Sequence, residues 1–492
     1  MKISDLSSFQ LSLISGILIG LSYPPIFGIL ALIGFIPLIR IWLTSTIKNS
    51  MKYSFIAAVI ANTISLYWIG LNSGASLLPV LISLIAAILY LSFFWILMGG
   101  VVSYLKQKIK YIEYLIPFLW VSMELIRGYG PLAFPWSDLA LTQAKFLTIL
   151  QILDITGTGG VSFWIILINL TAYLLIFSNS FEPRRYMLLI IAILIPIFYG
   201  NYKLNEMKNF KWDKRTVSVI QPNIDPNLKW EASFRSELYE IMDSLNVIAY
   251  ELKPDLVLWP EAALPNYMRV SHLKNKYQEL VDSTNIPLLM GTLDYKRLSG
   301  TTKVFNGSIY FGTQERKIYH KLFLVPFAEY IPLSSKFPLL NNLNFGQGNF
   351  SHGNKFTTFE LDSVFFSNMI CYDSTNPLIV RQFILNGARF LTIEANVAWL
   401  QNSSGVRQYF ELAKLRAIEL RTGIALSANT GISAIINPFG EAIKKIPFNN
   451  QGVFKGEVLL NNGLTFYAKY GNLFSKICLL ISLICSFLFK IK

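Results

Sequence analysis

Long runs of almost uncharged, apolar residues fill the first two-fifths of this chain, each near the 17 to 25 residues that a helix needs to cross a bilayer. Seven are read at roughly 8–23, 26–45, 53–71, 78–104, 112–128, 159–178 and 185–201, and an eighth at 473–489. A helix satisfies its own backbone hydrogen bonds in lipid, so these segments predict a polytopic α-helical bundle of about eight spans. The fifth span departs from pure apolarity, carrying Glu113, Glu124 and Arg127. Glu124 and Arg127 lie three apart and are expected to pair on one helix face, as an internal structural pair or as a functional one. The first span runs into Tyr23-Pro24-Pro25 with no small-residue cleavage signal, which reads as a retained helix.

Composition separates these runs from the rest. Of 492 residues 53% are hydrophobic and 15% charged, against ~25% charged in soluble chains. The charge is concentrated in residues 206–468, whose composition is ordinary. The expected division is a membrane domain at 1–205, a soluble domain at 206–468 and a C-terminal helix at 469–492. Lys2, Arg40/Lys48/Lys52, Lys106/Lys108/Lys110, Arg184/Arg185 and Lys490/Lys492 fall on one side if the spans alternate, while the loops near 24–25 and 72–77 carry no Lys or Arg. By the positive-inside rule both termini are cytoplasmic and 206–468 lies on the far face. The net charge of +14 marks span ends, with no nucleic-acid motif or basic stripe beside it.

Within 206–468, β-branched runs alternate with helical patterns. Strands are expected at 217–221, 256–259, 287–290, 309–312, 364–371, 390–393, 425–429 and 433–436, and helices near 232–252, 272–284, 376–386 and 405–421. That alternation predicts an α/β domain with helix-covered sheets. The Asn- and Gly-rich stretch 340–355 reads as a surface loop and a candidate lid.

Three residues at the ends of separate strands carry the chemistry: Glu261 after Trp259-Pro260, Lys321 after Tyr319-His320, and Cys371 after Met369-Ile370. A nucleophile, a base and a cation are what acyl transfer needs, with Lys321 expected to favour the Cys371 thiolate. Glu261 or Glu329 can pair with Lys321, whose apolar surroundings require a carboxylate. Cys478 and Cys485 lie seven apart in the last span and read as packing residues, and His272, His320 and His352 lack metal-ligand spacing.

The order Glu261, Lys321, Cys371 resembles the Glu-Lys-Cys triad of the nitrilase superfamily. The whole chain is similar to the apolipoprotein N-acyltransferases of bacterial envelopes, through Trp120–Arg127, Phe134-Pro135-Trp136, Gln221–Trp230, Trp259-Pro260-Glu261, Lys321–Pro332, Ile370-Cys371-Tyr372, Arg416–Arg421 and Asn429–Gly431. The resemblance implies an αββα sandwich on the periplasmic side of a multi-pass protein of the bacterial inner membrane, acting without cofactor or metal and expected to be a monomer. It implies ping-pong transfer: a phospholipid, typically phosphatidylethanolamine, gives its sn-1 acyl chain to Cys371, and the amine of a diacylglyceryl lipoprotein's N-terminal cysteine receives it. Glu261 would be the base and Lys321 the charge stabiliser, with Glu329, Trp230, Tyr372, Asp373, Asn396 and Trp399 in support. Departures from the family pattern are Asp373 for a glutamate, Val397 for an aspartate, Phe323 for a polar residue and Ala328 for a glycine. The residues alone leave open a membrane-tethered amidase or esterase, and a non-catalytic lipid- or lipoprotein-binding homologue.

Overall fold

The computed structural model describes residues 6–23, 25–177, 183–298, 300–334, 336–337 and 349–488. Lys2, Lys490 and Lys492, and the 340–348 part of the expected loop, lie outside the described residues. The chain divides into two units: 1–70, 77–209 and 470–492 form the first, and 71–76 with 210–469 the second.

The first unit is helical. Five helices among the described residues are long and apolar enough to cross a membrane: Phe27–Thr44, Ile47–Leu71, Leu77–Leu105, Thr158–Phe177 and Pro183–Lys208. Ser8–Ser22 and Leu473–Leu488 are apolar but shorter, and the expected fifth span contains a helix of only 12 residues, Ile116–Arg127. The second expected span is broken into short pieces around Phe35, ahead of Ile36–Thr44. Asn169 repairs the break, accepting from the Phe35 N–H at 2.8 Å and donating to the Ala31 carbonyl at 2.8 Å. Irregular backbone at such depth persists only when neighbours satisfy its polar groups.

Glu124 and Arg127 form no ion pair with each other among the described residues. Arg127 Nη2 lies 2.9 Å from Asp138 Oδ1, while Glu124 Oε1 accepts from Trp120 Nε1 and the Leu139 N–H, both at 3.0 Å. The reason is that the following segment folds back with closer partners: an aspartate for the guanidinium and an unpaired amide for the carboxyl.

The second unit holds two six-stranded sheets. In chain order the strands are β1 (Lys214–Gln221), β2 (Leu256–Leu258), β3 (Leu288–Leu298), β4 (Thr301–Phe311), β5 (Arg316–His320), β6 (Phe359–Leu361), β7 (Val364–Ile370), β8 (Phe390–Ala395), β9 (Ile424–Ala428), β10 (Ser433–Ile436), β11 (Ala442–Ile446) and β12 (Gly452–Leu459). Their order is β12-β1-β2-β3-β4-β5 in one sheet and β11-β10-β9-β8-β7-β6 in the other. Each sheet is built on three parallel strands, β1-β2-β3 and β7-β8-β9, with antiparallel strands flanking them. Parallel neighbours need crossovers, which helices Arg235–Glu251 and Leu273–Thr284 supply in the first half and Pro377–Leu385 and Ser404–Leu420 in the second. Leu238, Met242, Leu245, Tyr277 and Val281 of the first pair pack against Val257, Trp259, Leu288 and Met290 of their sheet.

Hydrogen bonds join the sheets face to face, as from Ser427 Oγ to the Ile220 carbonyl at 2.7 Å. The unit is an α/β fold of two facing sheets with helical crossovers. Strand β3 and hairpin partner β4 run to 11 residues each, well beyond the expected 287–290 and 309–312.

Candidate active site

Glu261, Lys321 and Cys371 leave the ends of β2, β5 and β7. Pro260 ends the first of these strands, and Ala262 then adopts a positive φ of 44°. Strand β3 passes so close to this bend that a Cβ on Gly291 would lie 2.4 Å from the Ala262 nitrogen and 2.7 Å from Glu261 Cα. A glycine at that point is what lets the carboxylate sit over the sheet.

Lys321 follows β5 directly and is 1% exposed. Its ammonium lies 2.8 Å from Glu329 Oε1 and 3.4 Å from Glu261 Oε1. Both carboxylates are pinned further. Asn306 Nδ2, from β4, donates to Glu261 Oε1 at 2.8 Å and to Glu329 Oε1 at 3.1 Å. The Asn396 N–H donates to Glu261 Oε2 and the Val325 N–H to Glu329 Oε2, each at 2.8 Å.

Cys371 sits at the strand-to-turn junction with φ of 46°, a left-handed conformation that costs a residue bearing a Cβ about 1–3 kcal/mol. The 3-10 turn Cys371–Thr375 that follows is held from helix Ser404–Leu420: Tyr409 Oη donates to the Cys371 carbonyl at 3.1 Å, and Arg416 Nη1 to the Thr375 carbonyl at 3.1 Å. The strain is therefore imposed by the surrounding fold.

Asp373 brackets two of these strand ends. It accepts from the Leu322 and Phe323 N–H groups at 3.1 and 2.6 Å, from the Ile370 N–H at 3.1 Å and from Tyr319 Oη at 2.7 Å. Tyr372 stacks on Phe323, ring centroids 4.8 Å apart and nearly parallel at 6°. Asn396 reaches Glu261 through its backbone while its side-chain oxygen accepts from Asn429 at 3.3 Å. Val397 packs against Gly431, where a Cβ would come within 2.5 Å of its side chain. Trp399 is partly buried, its carbonyl accepting from the Ser73 N–H at 3.2 Å. Trp230 is 49% exposed on the turn Leu228–Trp230.

Lys321 acts on the Cys371 thiol in the expected direction, but other influences outweigh it. Burial would lower the Lys321 ammonium, but Glu329 and then Glu261 outweigh it and hold the group firmly protonated. The Cys371 thiol is pushed up, first by burial and then by the Glu261 charge, against which Lys321 is the main opposing influence. A thiol whose ionisation is disfavoured in this way would need a base to take its proton before the sulfur could attack.

Lys229 was not legible as a site residue. It is 2% exposed, and its ammonium donates to the Glu261 carbonyl at 3.4 Å. Burial lowers it to about 8 against the opposing Glu261 charge. Its sequence neighbours Leu228 and Trp230 are both exposed, so periodicity carries no signal for burial at 229. Asn306, likewise unforeseen, is a polar residue in the part of β4 that is buried on both faces, which nothing local in the sequence marks.

A two-sheet α/β unit with thiol, carboxylates and ammonium at its strand ends, in a chain that also contains a unit of long apolar helices, defines a membrane-associated protein of the carbon-nitrogen hydrolase class. Comparison with known families agrees on both parts. The carbon-nitrogen hydrolase family matches residues 216–463, and the apolipoprotein N-acyltransferase N-terminal domain matches 15–171. The apolipoprotein N-acyltransferase of Geobacter metallireducens is 32% identical over 96% of this chain and 93% of its own length. Those of Chlorobaculum tepidum and Borreliella burgdorferi are 28% and 29% identical, over 96% and 98% of this chain and 94% and 96% of their own lengths. The chain belongs to the apolipoprotein N-acyltransferase family.

Proposed function

We propose that this protein N-acylates lipoproteins through a thioester on Cys371. The observation that carries the reading is that Glu261, Lys321 and a Cys371 of strained backbone leave neighbouring strand ends, held together by Asp373, in a chain of this family. Glu261 takes the thiol proton as sulfur attacks the sn-1 ester carbonyl of a phospholipid such as phosphatidylethanolamine. Lys321 stabilises the oxyanion, and Glu261 returns the proton to the departing lysophospholipid oxygen. The α-amine of a diacylglyceryl lipoprotein's N-terminal cysteine then attacks the thioester. Glu261 takes the amine proton and passes it to the released thiolate, leaving an amide. Exchange of a thioester for an amide makes the second half favourable.

In this reading Glu329 fixes Lys321, Tyr372 and Trp230 shape the acyl or acceptor pocket, and Asp373, Asn396 and Trp399 shape the loops around Cys371. The protein works as a monomer in the bacterial inner membrane. Eight spans place residues 206–468 on the periplasmic face between the helices of 1–205 and the last helix of 469–492, with the shorter helices completing the crossings supported by the five long ones. Basic residues at alternate loops support that orientation.

Intact-mass measurement of purified protein in phospholipid tests the reading. The parent should gain one acyl chain, Cys371→Ala should not, and a diacylglyceryl-cysteine peptide should discharge the adduct as an amide. Discharge by water alone makes the protein a hydrolase, and full activity in Cys371→Ala removes the nucleophile assignment.

A further inference from the structure

The core between the two sheets holds a carboxyl that the acyl-transfer chemistry does not use. Glu394, on β8, is fully buried, and no ion pair among the described residues involves it. Hydroxyl and amide donors lead up to it in one direction. Thr392 Oγ1 donates to Asn368 Oδ1 at 2.7 Å, Asn368 Nδ2 to Ser308 Oγ at 2.7 Å, and Ser308 Oγ to Glu394 Oε2 at 2.6 Å. Glu394 Oε1 has no donor.

A second buried acceptor without a donor is Asn306 Oδ1. Asn306 lies two residues from Ser308 on β4, so the two side chains project from the same face of that sheet. The orientation of the Asn306 amide is not free. Both N–H bonds of Nδ2 are taken by Glu261 and Glu329, and a flipped amide would set oxygen against two carboxylates. Its oxygen must therefore face away from the site, as an acceptor lacking a donor. Asn306 Oδ1 and an oxygen of Glu394, the carboxyl bonded to the same-face neighbour Ser308, are thus buried acceptors each short of a hydrogen, and a single proton would serve both.

We propose that Glu394 is a protonated carboxylic acid whose O–H donates to Asn306 Oδ1, making it a positioning residue that aims the Asn306 amide at Glu261 and Glu329. Burial, with the Glu261 charge adding to it, pushes the Glu394 carboxyl well above the usual range against the bonds from Ser308 and Asn368. The proton completes a chain from Thr392 through Asn368, Ser308, Glu394 and Asn306 to the two carboxylates that hold Lys321. A neutral acid here can donate a hydrogen bond without adding a third negative charge to a site that already has two carboxylates on one ammonium. The functional part of this inference rests on the proposed roles of Glu261 and Lys321.

Infrared spectroscopy of the whole detergent-solubilised protein reads the proton directly. The expected result is a protonated-carboxyl C=O band at neutral pH that is absent in Glu394→Gln; no difference between the two proteins overturns the proposal. Glu394→Gln keeps an N–H donor toward Asn306 and should retain turnover within about threefold. Glu394→Met, similar in size but without a donor, should lose on the order of tenfold in kcat with KM little changed. The pH profile of Glu394→Met should also shift, because Glu261 loses an oriented donor, which a merely structural role would not produce. Equal kcat and pH profile in Glu394→Met and the parent overturn the positioning role, and should Glu394→Met fail to fold, the band and the Glu394→Gln turnover decide. Failure of the acyl-transfer reading shows separately, as absence of an acyl adduct on Cys371 in the parent, and leaves the infrared result standing.

Discussion

In the helical unit, Arg127 meets Asp138 at 2.9 Å, Thr158 Oγ1 adds a hydrogen bond to the other Asp138 oxygen at 2.9 Å, and Glu124 takes its donors from Trp120 and Leu139. In the α/β unit, Lys321 is divided between Glu329 and Glu261, and a second ammonium, Lys229, donates to the backbone carbonyl of Glu261. The ingredients are alike: each cluster gathers buried cations and two carboxylates. The construction differs. Around Arg127 a cation has a dedicated anion and the network ties a helix to the segment after it. Around Lys321 the charges are shared, and a cysteine with a left-handed backbone follows a neighbouring strand. Dedicated pairing fixes a fold, whereas shared pairing leaves a site in which moving one proton redistributes charge among several groups. Buried charge alone does not mark the reactive cluster; sharing and strain do.

The largest effect expected from this contrast comes from Lys321→Met. Glu261 and Glu329 would lose their only shared ammonium, and the oxyanion its stabiliser. Turnover should fall on the order of 10²- to 10³-fold, and stability by about 3–5 kcal/mol for the uncompensated carboxylates. Acyl loading of Cys371, followed by mass, reads the first and thermal unfolding in detergent the second. A variant within tenfold of the parent would sink the role given to Lys321.

Lys229→Met separates function from stability. Turnover should drop about tenfold, the low end for a charged hydrogen bond, since this one is long. Stability should move the other way. The fold holds Lys229 near 8 rather than 10.5, so at pH 7 keeping it charged costs about 3 kcal/mol relative to the unfolded chain. Between pH 8 and 10.5 the unfolded chain binds the extra proton, so this group makes parent stability rise with pH through that window. Denaturation midpoints at pH 7 and pH 10 should converge in Lys229→Met, while the parent's turnover falls as pH passes 8. A variant no more stable than the parent at pH 7 would mean that Glu261 fully compensates the buried charge.

The order of Glu261, Lys321 and Cys371, the proline break before Glu261 and the alternating strands and helices were readable because each is local along the chain. So were most helices, whose ends fall within a few residues of the apolar patterns. What escaped is what depends on a partner far away in sequence. Asn306 and Glu394 meet the site across strands and sheets, and Lys229 is buried between two exposed neighbours. Lys321 was expected to favour a thiolate, but that depended on how many carboxylates would share it. The extension of the β3–β4 hairpin crosses Lys296, Arg297 and Lys303, charges that read as loop until a paired strand makes them edge residues. The second span is apolar around its break at Phe35, so it is Asn169 from a distant helix that reveals that the backbone there needs outside partners.

Asp373 gives a smaller effect with opposite signs in two measurements. Burial lifts its carboxyl to about 6, opposed mainly by Lys321 and by its hydrogen bonds from Tyr319, Phe323 and Ile370. Its folded value lies above the ordinary 3.8, so between those values the folded state binds more protons. Stability from this group is fully present below pH 3.8 and is lost as pH rises through 6. Activity should run the other way: protonation weakens the carboxylate bracket on the Leu322 and Phe323 amides, and turnover should fall about fivefold as pH drops below 6. Asp373→Asn should lie near the low-pH rate of the parent and lose that limb of the profile. A parent profile flat from pH 5 to 7 would mean that the neutral acid brackets the loop equally well.

The smallest expected effect on chemistry, and the sharpest check on the contrast between the two clusters, is Arg127→Met. Removing the guanidinium leaves Asp138 with its Thr158 bond and an uncompensated charge, which should cost about 3–5 kcal/mol and lower the unfolding temperature in detergent. Folded molecules should nevertheless load Cys371 at the parent's rate, because none of the groups acting on the thiol belongs to that network. Arg127→Lys should recover part of the stability, though a single ammonium cannot reproduce the fork of a guanidinium. If Arg127→Met instead loads Cys371 tenfold more slowly at temperatures where it is fully folded, the dedicated pair would be coupled to the chemistry after all. The difference between the clusters would then be one of degree, with the helical unit setting the rate as well as the anchorage.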